Sequence, residues 1–142
     1  MRNLLISFLF ATCVPQLSVA CDYPGFDSIE EHVAAMEHIF LAKALDSQTI
    51  ELRPDQIRED QLTRFRVIEI LKGELGDEVL VTHYTYGPAC GVTFEPGEVY
   101  EIFAAVRPFT DELVTSEYHL APYDREQHGW SWEDYRKVAQ KQ

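Results

Sequence analysis

Cys90-Gly91-Val92-Thr93-Phe94-Glu95-Pro96-Gly97-Glu98-Val99-Tyr100-Glu101-Ile102-Phe103-Ala104 is the segment from which the architecture of this chain unfolds. Its middle, Glu95-Pro96-Gly97-Glu98, is a turn signal, because proline presets φ and glycine supplies conformations that other residues resist. Phe94 and Tyr100 bracket the turn and are expected to pack on the body of the fold rather than to meet a ligand. Residues 99–106 follow as a strand. Gly91, just after the cysteine, and Gly97, in the turn, mark where backbone freedom is needed.

The rest of the chain reads outward from there. Residues 38–45 are an apolar run suited to a buried strand, and residues 63–71 (TRFRVIEIL) alternate Phe65 and Val67 with Arg64 and Arg66 as a half-buried strand does. Residues 47–61, polar and interrupted by Pro54, read as a long solvated loop. Lys72-Gly73-Glu74-Leu75-Gly76-Asp77 turns the chain into a strand over 78–85, and residues 86–91 form a loop ending at Cys90. Residues 113–120 (LVTSEYHL) read as a further strand. A short early helix starts at Ser28, its N-cap, with Glu31 completing a capping box and Ile29, Val33 and Met36 on one face. A late helix runs from Ser131 to Gln140 with Asp134 reciprocating the cap. Trp130 and Trp132 flank Ser131. They are expected to clamp that helix onto the barrel, with Tyr135 and Val138 completing its apolar face, the other reading being an exposed contact site. The class is mainly β: a small closed or partly open barrel with one helix before it and one after.

The N-terminus reads as an export signal. Met1-Arg2-Asn3 leads an apolar run over residues 4–10, and Ser18-x-Ala20 offers small residues for cleavage before Cys21. The run is too short to span a bilayer, which takes about 20 apolar residues. The expected location is secreted or periplasmic. Cys13 leaves with the signal, so Cys21 and Cys90 remain. A second reading makes the chain an envelope lipoprotein with the lipid on Cys21. Against it, Ser18 occupies the place where a bulky aliphatic residue is favoured, and Leu17 lies one position too early. Ordinary cleavage leaves the Cys21 thiol free for a disulfide with Cys90, whereas lipidation consumes it.

Composition narrows the function. Cleavage after Ala20 leaves 122 residues, enough for one domain. It removes one basic residue, Arg2, and no acidic one, so the formal charge falls one below the whole chain's −12, to −13. That argues against nucleic acid, whose phosphates require Lys and Arg, and against anionic membrane surfaces unless Cys21 is lipidated. The five histidines, His32, His38, His83, His119 and His128, form no H-x-x-x-H or H-E-x-x-H pair, so scattered surface or core positions are expected and no metal or other cofactor. Ser116 and Ser131 lack a nucleophile elbow, and the acidic pairs Glu30/Glu31 and Glu133/Asp134 sit at helix starts, where the dipole accounts for them. No catalytic residue emerges, and the chain is read as non-enzymatic.

In order, Cys21, the helix at Ser28, the strand from His38, Phe65 to Gly73 with its Leu71-Lys72-Gly73 ending, and the segment quoted first resemble the N-terminal domain of the tissue inhibitors of metalloproteinases and their netrin-like relatives, as a divergent bacterial-type member. The resemblance covers roughly residues 21–122, leaving 1–20 as signal and 123–142 as a helical extension. It implies an OB-like five-stranded β-barrel and a bond between Cys21 and Cys90. Such a bond would close a loop of about 70 residues and contribute roughly 4 kcal/mol in the chain-entropy picture. It implies binding to another protein, in the inhibitors a metalloprotease, whose zinc is chelated by the amine and carbonyl of the first cysteine. The residues that would contact such a protease are Cys21, Asp22 and Tyr23. Three departures set this chain apart. The inhibitors' Cys-x-Cys is here Cys21-Asp22-Tyr23, Asp22 would take a charge toward a hydrophobic specificity pocket, and no cysteine lies near Ser116-Glu117-Tyr118.

Overall fold

A computed structural model describes residues 25–50, 60–84 and 91–141. Strand β1 (His38–Ile50) uses both of its edges. Along one it pairs antiparallel with β2 (Asp60–Lys72), from Ile39 opposite Lys72 to Ile50 opposite Asp60. Along the other it pairs with β4 (Val99–Val106), from His38 opposite Ala104 to Lys43 opposite Val99. Strand β3 (Glu78–Tyr84) runs antiparallel to β2, and β5 (Leu113–Thr115) joins β3 in parallel and β4 antiparallel. The barrel thus closes in the order β1-β2-β3-β5-β4, the OB-type arrangement. Register shifts at three places along β1 and β2 supply the bends that closure needs.

Two cores share β1 and β4. Inside the barrel lie Phe40, Ala42, Ala44, Phe65, Val81, Phe94, Ile102, Ala104 and Leu113. Outside it, Ile39 and Phe103 point the other way into a second core built with Phe26, Val33, Met36, Ala121, Tyr135 and Val138. Strands buried on both faces lose the alternation of a half-exposed strand, which is why residues 38–45 read as a continuous apolar run. The second core is roofed by helices α1 (Ile29–Ala35), α2 (Glu117–Leu120), α3 (Pro122–His128) and α4 (Trp132–Ala139).

Local chemistry fixes the helix ends. The Ser28 hydroxyl accepts from the Glu31 amide at 3.2 Å, as expected, but the Glu31 carboxylate reaches back to Asp27 N at 3.0 Å rather than to Ser28. Lys72 Nζ donates to Val33 O at 2.7 Å, placing a cation over the last turn of α1. The full capping box is at α4, where Ser131 and Asp134 serve each other.

Three expectations are corrected. Of the solvated loop expected over 47–61, residues 47–50 belong to β1 and residues 60–61 to β2, and the rest lies outside the described residues. The strand over 113–120 stops at Thr115, where Glu117 to Leu120 turn into α2 so that Tyr118 and Leu120 pack on the second core. The extension carries two helices, since α3 precedes α4. Gly97 adopts φ +94 in its turn, as its placement required, and Phe94 and Tyr100 pack together with ring centroids 5.0 Å apart.

Gly73 leaves β2 at φ +87, and a Cβ there would lie 2.2 Å from His38 Nδ1. Gly73→Ala is expected to lower stability by roughly 1–3 kcal/mol, from the left-handed backbone and the clash together. Urea denaturation measures this, and an unchanged midpoint would show that His38 simply moves aside.

Candidate functional site

Cys21, Asp22, Tyr23 and Cys90, on which the sequence reading centres, lie outside the described residues. So do the expected export signal and the disulfide that the resemblance implies. The chain on the near side of each cysteine is described, at Gly25-Phe26 and at Gly91-Val92. Each of these segments is held by a buried histidine.

His32 holds the first. Carried on α1 beside Val33, it is completely buried, its ring stacked between Phe26 (centroids 4.5 Å apart, 16° between planes) and Phe103 (4.7 Å, 17°). His32 Nε2 lies 2.7 Å from His119 O, and a carbonyl only accepts, so Nε2 carries the proton. Nδ1 therefore accepts from the Tyr135 hydroxyl, 2.7 Å away. Burial, the largest influence, brings the His32 pKa down to about 4 despite the hydrogen bond to His119 O, and Arg125 adds to the lowering. Burial raises the Tyr135 phenol well above its ordinary value, so it stays a donor. Phe26 N donates to Asp124 Oδ2 at 3.1 Å, and Gly25 passes so close that a Cβ would lie 2.7 Å from Asp124 Oδ1. Arg125 pairs with Glu101 and sets its guanidinium over Phe103 and Tyr135, 5.1 and 5.2 Å from their centroids.

His83 holds the second. It occupies an inward position of β3, two residues beyond Val81, and is also completely buried. His83 Nδ1 is 2.8 Å from Val92 O, so it donates, and Nε2 accepts from Thr63 Oγ1 at 2.7 Å. Thr63 in turn accepts from the Ser47 hydroxyl at 2.5 Å. Phe94 stands edge-on to His83 (4.7 Å) and to Phe65 (5.1 Å). Burial lowers the His83 pKa, and it lowers that of His119. The hydrogen bonds of these two histidines share no partner, so they do not form a joint site.

The chemistry open to this arrangement is that of a scaffold. Both nitrogens of His32 and of His83 are committed inside the fold. Among the described residues no group of three His, Cys, Asp or Glu side chains is placed to hold a metal ion. Two of the five histidines, expected only at scattered surface or core positions, thus anchor the segments at Phe26 and Val92. The signals were present, since His32 lies three residues beyond Ile29 on the apolar face of α1 and His83 keeps the inward phase of Val79 and Val81.

The two tryptophans behave as clamps. Trp130 and Trp132 pack against the second core, and Trp132 Nε1 donates to Glu69 Oε2 at 3.0 Å. Arg136 grips the same carboxylate bidentately, at 2.8 and 2.9 Å. Arg136 first, and Trp132 second, hold the Glu69 pKa down to about 2. Glu69→Gln keeps an acceptor for Trp132 but removes the charge, and is expected to lower the melting temperature by roughly 2–4 °C, less at high salt. A change that is the same at all salt concentrations would show that the ion pair is not the cause.

No family model matches the chain. Among curated proteins, tRNA (guanine(37)-N(1))-methyltransferase of Caenorhabditis elegans is 44% identical over 55 residues, which are 39% of this chain and 11% of that protein. The chain thus spans about a tenth of that relative's length, and the likeness is one of a segment.

Proposed function

We propose that the chain is an exported, non-enzymatic domain of the metalloproteinase-inhibitor and netrin-like type that acts by binding another protein through the edge formed around Cys21 and Cys90. The observation that carries this reading is the double anchoring by His32 and His83. Phe26 and Val92 are tied to two different cores by buried neutral imidazoles. Segments anchored in this way are ordered before a partner arrives, and preordered segments lose less conformational freedom on binding.

The same rigidity favours a second reading, in which the free amine and carbonyl of Cys21 chelate the zinc of a metalloprotease. Asp22 weighs against it, because its charge would be desolvated in an apolar pocket. The similarity to a tRNA methyltransferase is the observation that points toward an enzyme. With 24 acidic against 12 basic residues, the chain is poorly suited to hold a tRNA backbone.

Intact mass of the exported protein, reduced and non-reduced, reports cleavage, disulfide and any acyl group together. Cleavage before Cys21 with a disulfide is the expected result, and an acyl-modified Cys21 would overturn it. Incubation of the processed protein with a panel of zinc proteases then separates the readings. Inhibition lost on acetylating the N-terminus establishes the chelating one, and no effect at micromolar protein removes it. Retention of a tRNA on a native gel would overturn the non-enzymatic, protein-binding proposal.

A further inference from the structure

The parallel ladder between β3 and β5 begins only at Val81 and Leu113. One residue earlier the two chains part, because Glu112 O turns to accept from Arg107 N at 2.9 Å, closing a tight loop over residues 107–112. Among the described residues, the first half of β3, Glu78 to Leu80, therefore has β2 on one side and no strand on the other. A cleft of about 600 Å³ opens there, walled by Ile50, Leu62, Leu80 and Leu113. Leu80 is 53% exposed within it.

The chemistry of the cleft is one-sided. Its ionisable lining residues are Glu78, Asp111 and Glu112, all carboxylates. Glu78 faces Arg64 and Arg66, each at 3.4 Å, and Glu112 faces Arg107 at 3.2 Å while accepting from Thr82. Asp111 is exposed and pairs with no cation among the described residues. Two residues before it, Phe109 stands fully exposed at φ +65, a conformation aromatic residues rarely adopt. The loop that displays it is stitched by Thr110 N to Arg107 O at 3.1 Å and Glu112 N to Thr110 Oγ1 at 3.2 Å.

We propose that this cleft docks an extended segment of another protein in which apolar and basic side chains alternate, adding a strand to the free half-edge of β3. Backbone groups of residues 78–80 supply the hydrogen bonds. Leu62 and Leu80 receive the apolar side chains, Asp111 meets a basic one, and Phe109 lies over the incoming strand. OB-type barrels commonly bind along the face of their second and third strands, often oligonucleotides. Here the unpaired charge is negative and the molecule's field, at −12, draws cations, so a polyanion is disfavoured and a cationic segment favoured. None of His32, His83, Phe26 and Val92 lines the cleft, so it is distinct from the two anchored segments.

The test uses a fluorescein-labelled decapeptide of alternating lysine and valine, titrated with the processed protein at physiological salt, alongside its glutamate–valine counterpart. Saturable one-site binding in the micromolar range is expected, weakened at least about tenfold by Leu80→Glu and by Asp111→Lys, and unaffected by acetylating the N-terminus. Amide exchange at residues 78–80 should slow in the complex. Equal binding by a folded Leu80→Glu variant, preference for the acidic peptide, or slowing elsewhere would overturn the proposal. So would a concentration-dependent dimer abolished by Leu80→Glu, which assigns the cleft to a second copy. Binding that disappears on acetylation would return the site to the N-terminal edge.

Discussion

Acidification from pH 6.5 to 4 is expected to strip about 3 kcal/mol from the folding free energy through His32 alone. Its pKa is lowered from about 6.5 in the unfolded chain to about 4 in the folded one, and each unit is worth about 1.36 kcal/mol. A histidine depressed in this way stabilises fully while neutral, above pH 6.5, and its contribution falls away as pH drops toward 4. Protonation would place a hydrogen on Nδ1, the nitrogen that accepts from Tyr135, inside a fully buried stack and beside the Arg125 cation. Asp124 pulls the other way but less strongly. His83 and His119, also lowered by burial, add in the same direction. Glu69, held near 2 against 4.5 in the unfolded chain, starts to give up its share at the acid end of that window and loses most of it below pH 4. Urea denaturation at pH 7.5, 5.5 and 4.5 measures the slope. His32→Gln should be less stable at neutral pH yet visibly flatter across the range, and a variant with the parent's slope would refute the assignment.

Phe103→Ala is expected to cost about 3–5 kcal/mol, a large share of the roughly 5–15 kcal/mol that holds a domain of this size together. Phe103 has no exposed surface, forms one side of the His32 stack, meets Tyr135 edge-on at 4.8 Å and lies under Arg125. Truncation removes the ring, leaves a cavity between barrel and helices, and lets water reach the imidazole. The variant should therefore also lose part of its acid sensitivity, because a hydrated His32 titrates nearer 6.5. Phe103→Leu, which fills most of the space, should cost less than half as much. Denaturation at two pH values checks both effects, and a loss under about 1 kcal/mol would mean that the helical layer barely supports the barrel.

Sequence patterning reached the elements where side chains alternate or run apolar. Arg64, Phe65, Arg66 and Val67 announce β2, and the continuous apolar residues of β1 announce burial on two faces. It failed where the backbone alone decides. Ser47, Gln48 and Thr49 pair with Thr63, Leu62 and Gln61, yet all three are exposed, so no apolar rhythm marks them. The misreading of residues 116–120 has the opposite origin. Tyr118 and Leu120 alternate as in a strand, but two apolar residues spaced by two also fit a single helical turn, and the second core took them. Pro122 at the start of α3 and Gly129 at its end, φ +67, were readable caps. The caps at Ser28 and Ser131 were legible because capping is local. The anchoring of Phe26 and Val92 was not, because the histidines that perform it are themselves held by groups distant in the chain, His32 by Phe103, His119 and Tyr135 and His83 by Thr63, which no short-range pattern relates.

That last feature has a kinetic side. His32 bonds to partners 87 and 103 positions away, contacts that form only after the intervening chain has been organised. The stack around it therefore belongs to the late stages of folding, after the barrel strands have paired. Interactions absent from the folding transition state change the rate of unfolding and leave the rate of folding nearly untouched. Protonating His32 should accordingly shorten the lifetime of the native state without slowing its formation, so an acidic medium acts on how long the helical layer stays shut over the barrel.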